Sequence, residues 1–220
     1  MPEASKIVKA ASAILLDFDG PVTALMPPSV AAMAADAARR GLFNAAVPVP
    51  ASLARTTNHL EVLRHAGTLD RVAIRMTDDA CIKAEVAAAA RSEITPGARE
   101  MLKTAARRGQ QVVIISNNAP EAIEAYLNRS DLAGYVHLVI GRPPRRPDLM
   151  KPNPFMVRGA LTRIGVAAAD AVMIGDSATD MRAARSAAVP AVGFARTPGK
   201  VNVLFEAGAD DVTEDMADLA

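Results

Sequence analysis

The sequence predicts an α/β fold with three layers, in which helices cover both faces of a parallel sheet. Five short apolar segments rich in Val, Ile or Leu occur along the chain, with little alternation between apolar and polar residues. Continuous apolar segments of this length are typical of strands buried on both faces. Helical patterns lie between these segments, and repeated strand–helix units imply right-handed crossover connections. We therefore expect a Rossmann-like core.

Turn and capping residues place the helices between the strands. Thr95-Pro96 predicts the start of one helix and Gly109 its end, while Asn153-Pro154 and Gly165 enclose another. Two further helices are predicted over Ala119–Asn128 and Ala178–Ala187. The five predicted strands are Ala13–Phe18, Val112–Ser116, Val136–Ile140, Ala171–Gly175 and Pro190–Phe194.

Residues 21–93 interrupt this alternation, because they contain no segment typical of a buried strand. We interpret them as a small α-helical cap domain, inserted into a core domain formed by residues 1–20 and 94–220. The alternative is that these helices belong to one undivided domain. The predicted helices of the insertion are Ser29–Gly41, His59–Ala66 and Asp79–Glu93.

Length and composition exclude several classes of protein. The chain has 220 residues and 50% hydrophobic residues, enough for a sizeable core and one small insertion. A formal net charge of +1 argues against a dedicated binder of nucleic acid or anionic membranes. Aromatic residues make up 3%, so surfaces on which the bases of single-stranded nucleic acid could stack are not expected. A single cysteine, Cys81, excludes an intramolecular disulfide framework and a multi-cysteine zinc site.

The sequence also predicts a cytoplasmic location. The longest apolar stretches, Ala10–Leu16 and Val166–Ile174, are too short to span a membrane. Lys6 and Lys9 precede a short apolar segment, but this segment stops at Asp17 and lacks a suitable cleavage site. We expect a monomer or a homodimer without a membrane or nucleic-acid partner.

Acidic residues follow two of the predicted strands. The first strand ends in Asp17-Phe18-Asp19-Gly20, and the fourth leads into Asp176, with Asp180 four residues further on. The carboxyl ends of parallel strands line one crevice, so these carboxylates should meet there. Oxygen ligands favour a hard cation such as Mg²⁺. The alternative is that these residues only cap helices or turns.

Polar residues of another kind follow the second strand. Ser116 and Asn117 precede a helix amino terminus, where a hydroxyl and amides can bind phosphate oxygens. Lys151 precedes Pro152-Asn153-Pro154 at the start of a later helix. A lysine in this position can neutralise a phosphate or shield a carboxylate pair, although a solvated surface charge is the alternative.

Together these four motifs resemble the haloacid dehalogenase superfamily of phosphohydrolases, close to its phosphoglycolate phosphatase-like members. They read LLDFDG, VIISN, KPNP and MIGDSATD, in the order of the family, and the insertion resembles the family's helical cap of the first type. The resemblance covers roughly residues 11–20 and 94–220. It therefore implies a three-layer core with a cap and an enzyme that acts on phosphate esters.

The resemblance also implies a role for each motif residue. Asp17 is the nucleophile, and Asp19 is the general acid and then the general base. Ser116 binds a phosphate oxygen, with Gly20 and Asn117 beside it, and Lys151 stabilises the nucleophile and the transferring group. Mg²⁺ is expected at Asp17, the backbone carbonyl of Asp19 and Asp176, with support from Asp180.

The residue at position 19 narrows the expected chemistry. In this family an Asp there points to hydrolysis of a phosphate monoester or to phosphoryl transfer, through an aspartyl phosphate. The sequence departs from the family at Pro21, where many members carry Thr. Proline fixes φ and removes an amide donor, so it alters the loop that leads into the insertion.

Polar residues of the insertion are candidates for substrate selection. The segment Arg55-Thr56-Thr57-Asn58 is the preferred one, because it leads into a helix and offers hydrogen-bond donors, and Arg55 is its candidate substrate ligand. His59 is interpreted as structural, since the implied mechanism needs no histidine. The complete set of candidates is Arg55, Asn58, His59, Arg64, His65, Arg71 and Arg75.

The leading function is therefore a Mg²⁺-dependent phosphatase of a small phosphorylated metabolite. A phosphomutase resembling β-phosphoglucomutase is the nearest alternative, and it differs in returning the phosphoryl group to a sugar. Two alternatives belong to other classes. A phosphorelay receiver is disfavoured by the acidic pair on the first strand, and an inactive binding protein by the complete set of motif residues.

Overall fold

The computed structural model describes residues 3–197 and 199–220. Within these ranges six parallel strands form one sheet in the order β3-β2-β1-β4-β5-β6. The strands are β1 (Ala13–Leu16), β2 (Gln111–Ile115), β3 (Leu138–Ile140), β4 (Ala171–Gly175), β5 (Ala191–Phe194) and β6 (Asp211–Thr213). The α-helices are α1 (Glu3–Ala10), α2 (Pro28–Asn44), α3 (His59–Ala66), α4 (Arg71–Ala89), α5 (Ala98–Arg107), α6 (Pro120–Arg129), α7 (Phe155–Ile164), α8 (Ala178–Ser186) and α9 (Lys200–Ala207).

Strand β1 lies at the centre of the sheet and defines where the site can form. Leu16 pairs with Ile114 of β2 on one side and with Ile174 of β4 on the other. The strand order reverses between β1 and β4, and α/β sheets bind their ligands at such a switch point, outside the carboxyl ends of the strands.

The two faces of the sheet carry separate apolar cores, as the continuous apolar strands predict. On one face Ile14 and Leu16 pack among residues of α1, α5 and α6. On the other face Ala13 and Leu15 pack among residues of α7, α8 and α9. Buried apolar area of this extent supplies most of the favourable free energy of folding. The three-layer fold is therefore confirmed.

The insertion between β1 and α5 is helical and has an apolar cluster of its own. Asn58 caps α3 by accepting a hydrogen bond from the Leu60 amide, and Asp70 caps α4 by accepting from the amides of Val72 and Ala73. The division into a core domain and a cap domain at residues 20 and 94 stays a prediction. The cluster of the insertion comprises Ala38, Leu42, Val62, Leu63, Ala66, Ala73, Ile74 and Cys81.

Some predicted boundaries were wrong. Helix α5 begins at Ala98, because Gly97 adopts a φ of +79° that ends the preceding turn there. The Thr95 hydroxyl, predicted to cap this helix, instead donates a hydrogen bond of 2.6 Å to the carbonyl of Gly20. Helix α4 begins at Arg71, eight residues before the predicted start, because Asp70 caps it.

The sequence analysis also missed three elements, namely α1, α9 and β6. Strand β6 has three residues at the edge of the sheet and only partial burial, so it lacks a strong apolar pattern. Among the described residues, no helix combines the length and apolar character needed to span a membrane.

Candidate active site

Three carboxylates meet at the carboxyl ends of β1 and β4. Asp17 follows β1, Asp176 follows β4, and Asp180 lies in the first turn of α8. One oxygen atom of each lies within 4.8 Å of the others, and Asp17 and Asp180 are buried. The topological switch point thus holds an acidic cluster, as the spacing of the motifs predicts.

Lys151 enters this cluster from the segment before α7. Its Nζ lies 2.7 Å from Oδ1 of Asp17 and 2.5 Å from Oδ1 of Asp180. The same Nζ donates a hydrogen bond of 2.8 Å to the carbonyl of Ile115. Burial lowers the pKa of Lys151, but the Asp17 and Asp180 carboxylates outweigh burial and raise it above its ordinary value. Lys151 is therefore a fully buried, permanently charged ammonium group, not a solvated surface lysine.

The cluster still carries excess negative charge. Burial and the neighbouring Asp180 raise the pKa of Asp17 well above its ordinary value, although Lys151 opposes them. Burial also raises the pKa of Asp176. Lys200 lowers this pKa, whereas Asp180 raises it further. Crowded carboxylates with raised pKa values favour a cation that can be shared among them.

The Asp19 side chain lies outside this cluster of side-chain oxygens. Its Oδ1 accepts hydrogen bonds from the amides of Leu25, at 2.8 Å, and Met26, at 3.3 Å. Burial, assisted by Asp176, raises the pKa of Asp19 to about 6. The group can therefore change its protonation state near neutral pH. Its backbone carbonyl as a metal ligand stays a prediction.

Two glycines leave room for the acidic residues of the cluster. A Cβ atom at Gly20, whose φ is +123°, would lie 2.6 Å from Cγ of Asp176. A Cβ atom at Gly175 would lie 2.4 Å from Cβ of Asp180. Neither position can carry a side chain without displacing an acidic residue of the cluster.

Asp180 is also part of a capping box. The hydroxyl and the amide of Ser177 both donate to Oδ2 of Asp180, at 2.6 and 3.0 Å, while Ser177 itself caps α8. One oxygen of Asp180 therefore faces Lys151 and the other is fixed by the helix terminus. Asp180 thus takes part in the cap of α8, and its support of a metal ion stays a prediction.

Ser116 and Asn117 follow β2 beside this cluster. The buried Ser116 hydroxyl donates to Oδ1 of Asn118 at 3.0 Å and accepts from the Asn118 amide at 3.1 Å. The Asn117 side chain accepts from the Lys151 amide at 2.8 Å and donates to the Lys151 carbonyl at 3.1 Å. The structure thus links this loop directly to the lysine.

Among the candidate substrate ligands of the insertion, Arg64 contacts a residue of the site and the preferred candidate Arg55 does not. Arg55 is exposed, and among the described residues it has no hydrogen-bond or ion-pair partner, so its role stays a prediction. Arg64, another member of the candidate set, donates a hydrogen bond of 3.1 Å to the Lys151 carbonyl. His59 is buried against Glu85 at 2.8 Å, in agreement with a structural role.

The sequence analysis missed a cation that contacts the site. Lys200, at the start of α9, donates to the backbone carbonyl and to Oδ2 of Asp176, at 2.9 and 2.8 Å. Its signal in the sequence was its position shortly after the fifth strand, since the loops after parallel strands converge on one edge of the sheet.

A parallel sheet with carboxylates and a buried lysine at its switch point is the arrangement that the four motifs predict. The family model of haloacid dehalogenase-like hydrolases matches residues 11–188. The chain belongs to this family, and the resemblance of its four motifs is confirmed.

Curated relatives match over part of their length. A phosphoglycolate phosphatase of Rhodospirillum rubrum is 33% identical over 132 residues, which are 58% of this chain and 52% of the relative. A phosphoserine phosphatase of Thermus thermophilus is 35% identical over 103 residues, which are 46% of this chain and 41% of the relative. The matches thus span about half the length of these relatives or less.

Solved structures share the fold over nearly the whole chain. A candidate β-phosphoglucomutase of Thermotoga maritima superposes with a TM-score of 0.62 at 20% identity, covering 94% of this chain and 95% of that one. At this identity the likeness supports the fold alone.

Proposed function

We propose that this protein is a Mg²⁺-dependent phosphatase that hydrolyses a small-molecule phosphate monoester through an aspartyl phosphate on Asp17. The observation that carries the proposal is the position of Asp17. Its Oδ1 lies 2.7 Å from a buried lysine at the switch point, inside an acidic cluster. A carboxylate held there can attack phosphorus in line while a fixed cation faces the transferring group.

The residues present fit a divalent cation. The donor set consists of carboxylate oxygens, and their raised pKa values reflect burial and mutual repulsion that a cation would relieve. Asp17, the Asp19 carbonyl and Asp176 would hold Mg²⁺, with Asp180 in support. When bound, Mg²⁺ would neutralise negative charge on the phosphate and polarise its oxygens.

The side chains then have separate tasks in two steps. Asp17 forms a bond to phosphorus while the bond to the leaving oxygen breaks, and Asp19 gives that oxygen its proton. In the second step Asp19 takes a proton from water, which attacks the phosphoryl group and releases Asp17. Lys151 enters the first step charged, because Asp17 and Asp180 keep its pKa raised, and Asp180 still faces it once Asp17 carries the phosphoryl group.

The loop after β2 provides the phosphate contacts in this proposal. Ser116 and Asn117 are the candidate phosphate ligands of this loop, and Gly20 leaves room beside Asp176. Residues 21–93 act as a cap that selects the substrate. Arg64 is now a stronger specificity candidate than Arg55, because it contacts the backbone of Lys151.

The named relatives suggest which substrates to test first. Phosphoglycolate and phosphoserine are both small phosphate monoesters that carry a carboxylate, and relatives of this chain bear their names. The phosphomutase alternative rests on the resemblance of the motifs, and the β-phosphoglucomutase-like neighbour shares only the fold.

The test is a screen of phosphorylated metabolites with Mg²⁺, in which released phosphate is measured. We expect turnover of at least one small ester by the native chain and none by Asp17→Asn. Hexose phosphates are included with product analysis, because an isomerised sugar phosphate without free phosphate would favour the mutase. Absence of phosphate release and of isomerisation across the panel would contradict the proposal.

A further inference from the structure

Outside the acidic cluster, four charged or titratable side chains form a second buried network. Asp78 and Glu85 lie on α4, His59 begins α3, and Arg142 follows β3. At most 4% of any of these residues is exposed. Burying charged groups is costly unless they are paired and hydrogen-bonded, so this arrangement calls for a reason other than stability alone.

Arg142 is the centre of this network. Its Nε and Nη2 both donate to Oδ1 of Asp78, at 3.0 and 2.8 Å, and its Nη1 donates to Oε1 of Glu85 at 2.8 Å. The same Nη1 also reaches the carbonyl of Asn117 at 2.9 Å, and the Arg142 amide donates to the carbonyl of Asn118 at 2.8 Å. One guanidinium therefore joins a helix of the insertion to the loop after β2.

Glu85 makes the second connection across the same junction. Its Oε2 accepts a hydrogen bond of 2.7 Å from the amide of Ala119, at the start of α6. Ala119 has no side chain that could cap this helix, so a carboxylate from α4 takes that place. His59 holds the other oxygen of Glu85 at 2.8 Å.

A continuous path of short contacts leads from this network to the proposed nucleophile. Asn117, whose carbonyl accepts from Arg142, holds both the amide and the carbonyl of Lys151 through its side chain. Lys151 in turn places its Nζ on Asp17. Every hydrogen bond on this path is 3.1 Å or shorter.

We propose that Arg142, together with Asp78 and Glu85, forms a lock that positions Asn117 and Lys151 for the reaction when the insertion is docked on the core. These three are positioning residues, since they act through Asn117. The expected effect on the reaction rate rests on the proposed function. The inference makes activity depend on the packing of α4 against the core. A displacement of about 1 Å at catalytic groups can cost on the order of 100-fold in rate.

The decisive variant is Arg142→Lys, which keeps the charge but loses the fork that binds Asp78 and Glu85 together. The matched control is Arg129→Lys. Arg129 also crosses from the core to the insertion, since it donates to the carbonyls of Ala89 and Ser92, but it contacts neither Asn117 nor Lys151.

Two readouts are measured on both folded variants, namely kcat and amide hydrogen exchange at residues 116–119 and 151. For Arg142→Lys we expect a fall in kcat of about 100-fold and faster amide exchange at residues 116–119 and at residue 151. For Arg129→Lys we expect the native kcat and the native exchange rates. Equal losses in the two variants, or unchanged kcat in a folded Arg142→Lys, would overturn the lock.

Asp78→Asn is the second variant should Arg142→Lys fail to fold, with the same expected results. It keeps an oxygen acceptor for Arg142, removes the charge, and takes the Oδ2 acceptor away from the Arg145 amide. The exchange measurement also separates the two proposals. If the native chain hydrolyses no ester, faster exchange at Lys151 in the variant still supports the lock, and unchanged exchange overturns it.

Discussion

Lys151 and Asp17 form a buried ion pair of 2.7 Å although 134 residues separate them along the chain. The sheet brings them together, because β1 ends at Leu16 and the segment before α7 passes over the carboxyl end of β2. Removing one partner of such a pair leaves an uncompensated buried charge, which strongly destabilises the folded protein. Substitutions at this site must therefore be compared by activity and by folding together.

Asp17→Asn should abolish turnover while the chain remains folded, because Asp180 still pairs with Lys151 at 2.5 Å. The amide is isosteric with the carboxylate but is too weak a nucleophile to attack phosphorus. We expect no phosphoenzyme and no phosphate release, measured by acid quench and by a released-phosphate assay. Asp170→Asn, at the exposed amino end of β4, is the matched control and should keep native turnover. Full activity in a folded Asp17→Asn variant would remove Asp17 from the mechanism.

Asp19→Asn should lower kcat by roughly 10²–10⁴-fold, the usual contribution of general acid–base catalysis. The amide preserves size and can still accept from the Leu25 and Met26 amides. It cannot give and retrieve a proton, so the first step should suffer less with p-nitrophenyl phosphate, whose leaving group needs no protonation. Single-turnover phosphorylation with good and poor leaving groups measures this difference. A uniform loss would indicate that Asp19 only shapes the site.

Mg²⁺ should raise the melting temperature of the metal-free chain. Binding at 100 times Kd stabilises a folded protein by about 2.7 kcal/mol, or roughly 5–10 °C for a chain of this size. Asp176→Asn should lose most of this shift, because it removes a carboxylate from the acidic cluster. Asp170→Asn should retain the shift. An equal Mg²⁺ effect in all three proteins would place the ion elsewhere.

The sequence predicted which side chains meet at the site better than it predicted the helix boundaries and contacts around them. Asp17, Asp176 and Lys151 could be found because each follows or precedes an element with a strong local pattern. Their meeting point then follows from one rule, that parallel strands share a carboxyl edge. The helix boundary at Ala98 could not be found in this way, since Thr95 finds its partner in the carbonyl of Gly20, far away in sequence.

The buried network around Arg142 could not be predicted for a different reason. Arg142 and Asp78 are 64 residues apart and belong to segments with no local signal for burial. Their pairing depends on how α4 docks against the core, which the apolar pattern of α4 does not specify. An arginine in a loop is ordinarily a solvated residue, and only tertiary packing makes this one a buried junction.

The charge on Glu85 should contribute a pH-dependent part of the stability. Burial raises the pKa of Glu85, but Arg142, His59 and the Ala119 amide outweigh burial and leave the pKa below its ordinary value of 4.5. A carboxyl group whose pKa is lowered by folding stabilises the native state above its unfolded pKa. This stabilisation is lost as the pH falls through the folded pKa.

Glu85→Gln removes the titrating charge and keeps an oxygen for the Ala119 amide, while its amide nitrogen replaces the oxygen that accepts from Arg142. Only the pH-dependent part of its effect therefore reports the charge. The native chain should melt higher than the variant at pH 6 to 7, and the difference should shrink as the pH falls below about 4.5. Thermal unfolding of both proteins across this range measures it. Glu121→Gln, at the exposed first turn of α6, is the matched control and should differ little from the native chain at any pH. A difference between the native chain and Glu85→Gln that stays constant down to pH 3 would show that Glu85 contributes by shape alone, without its charge.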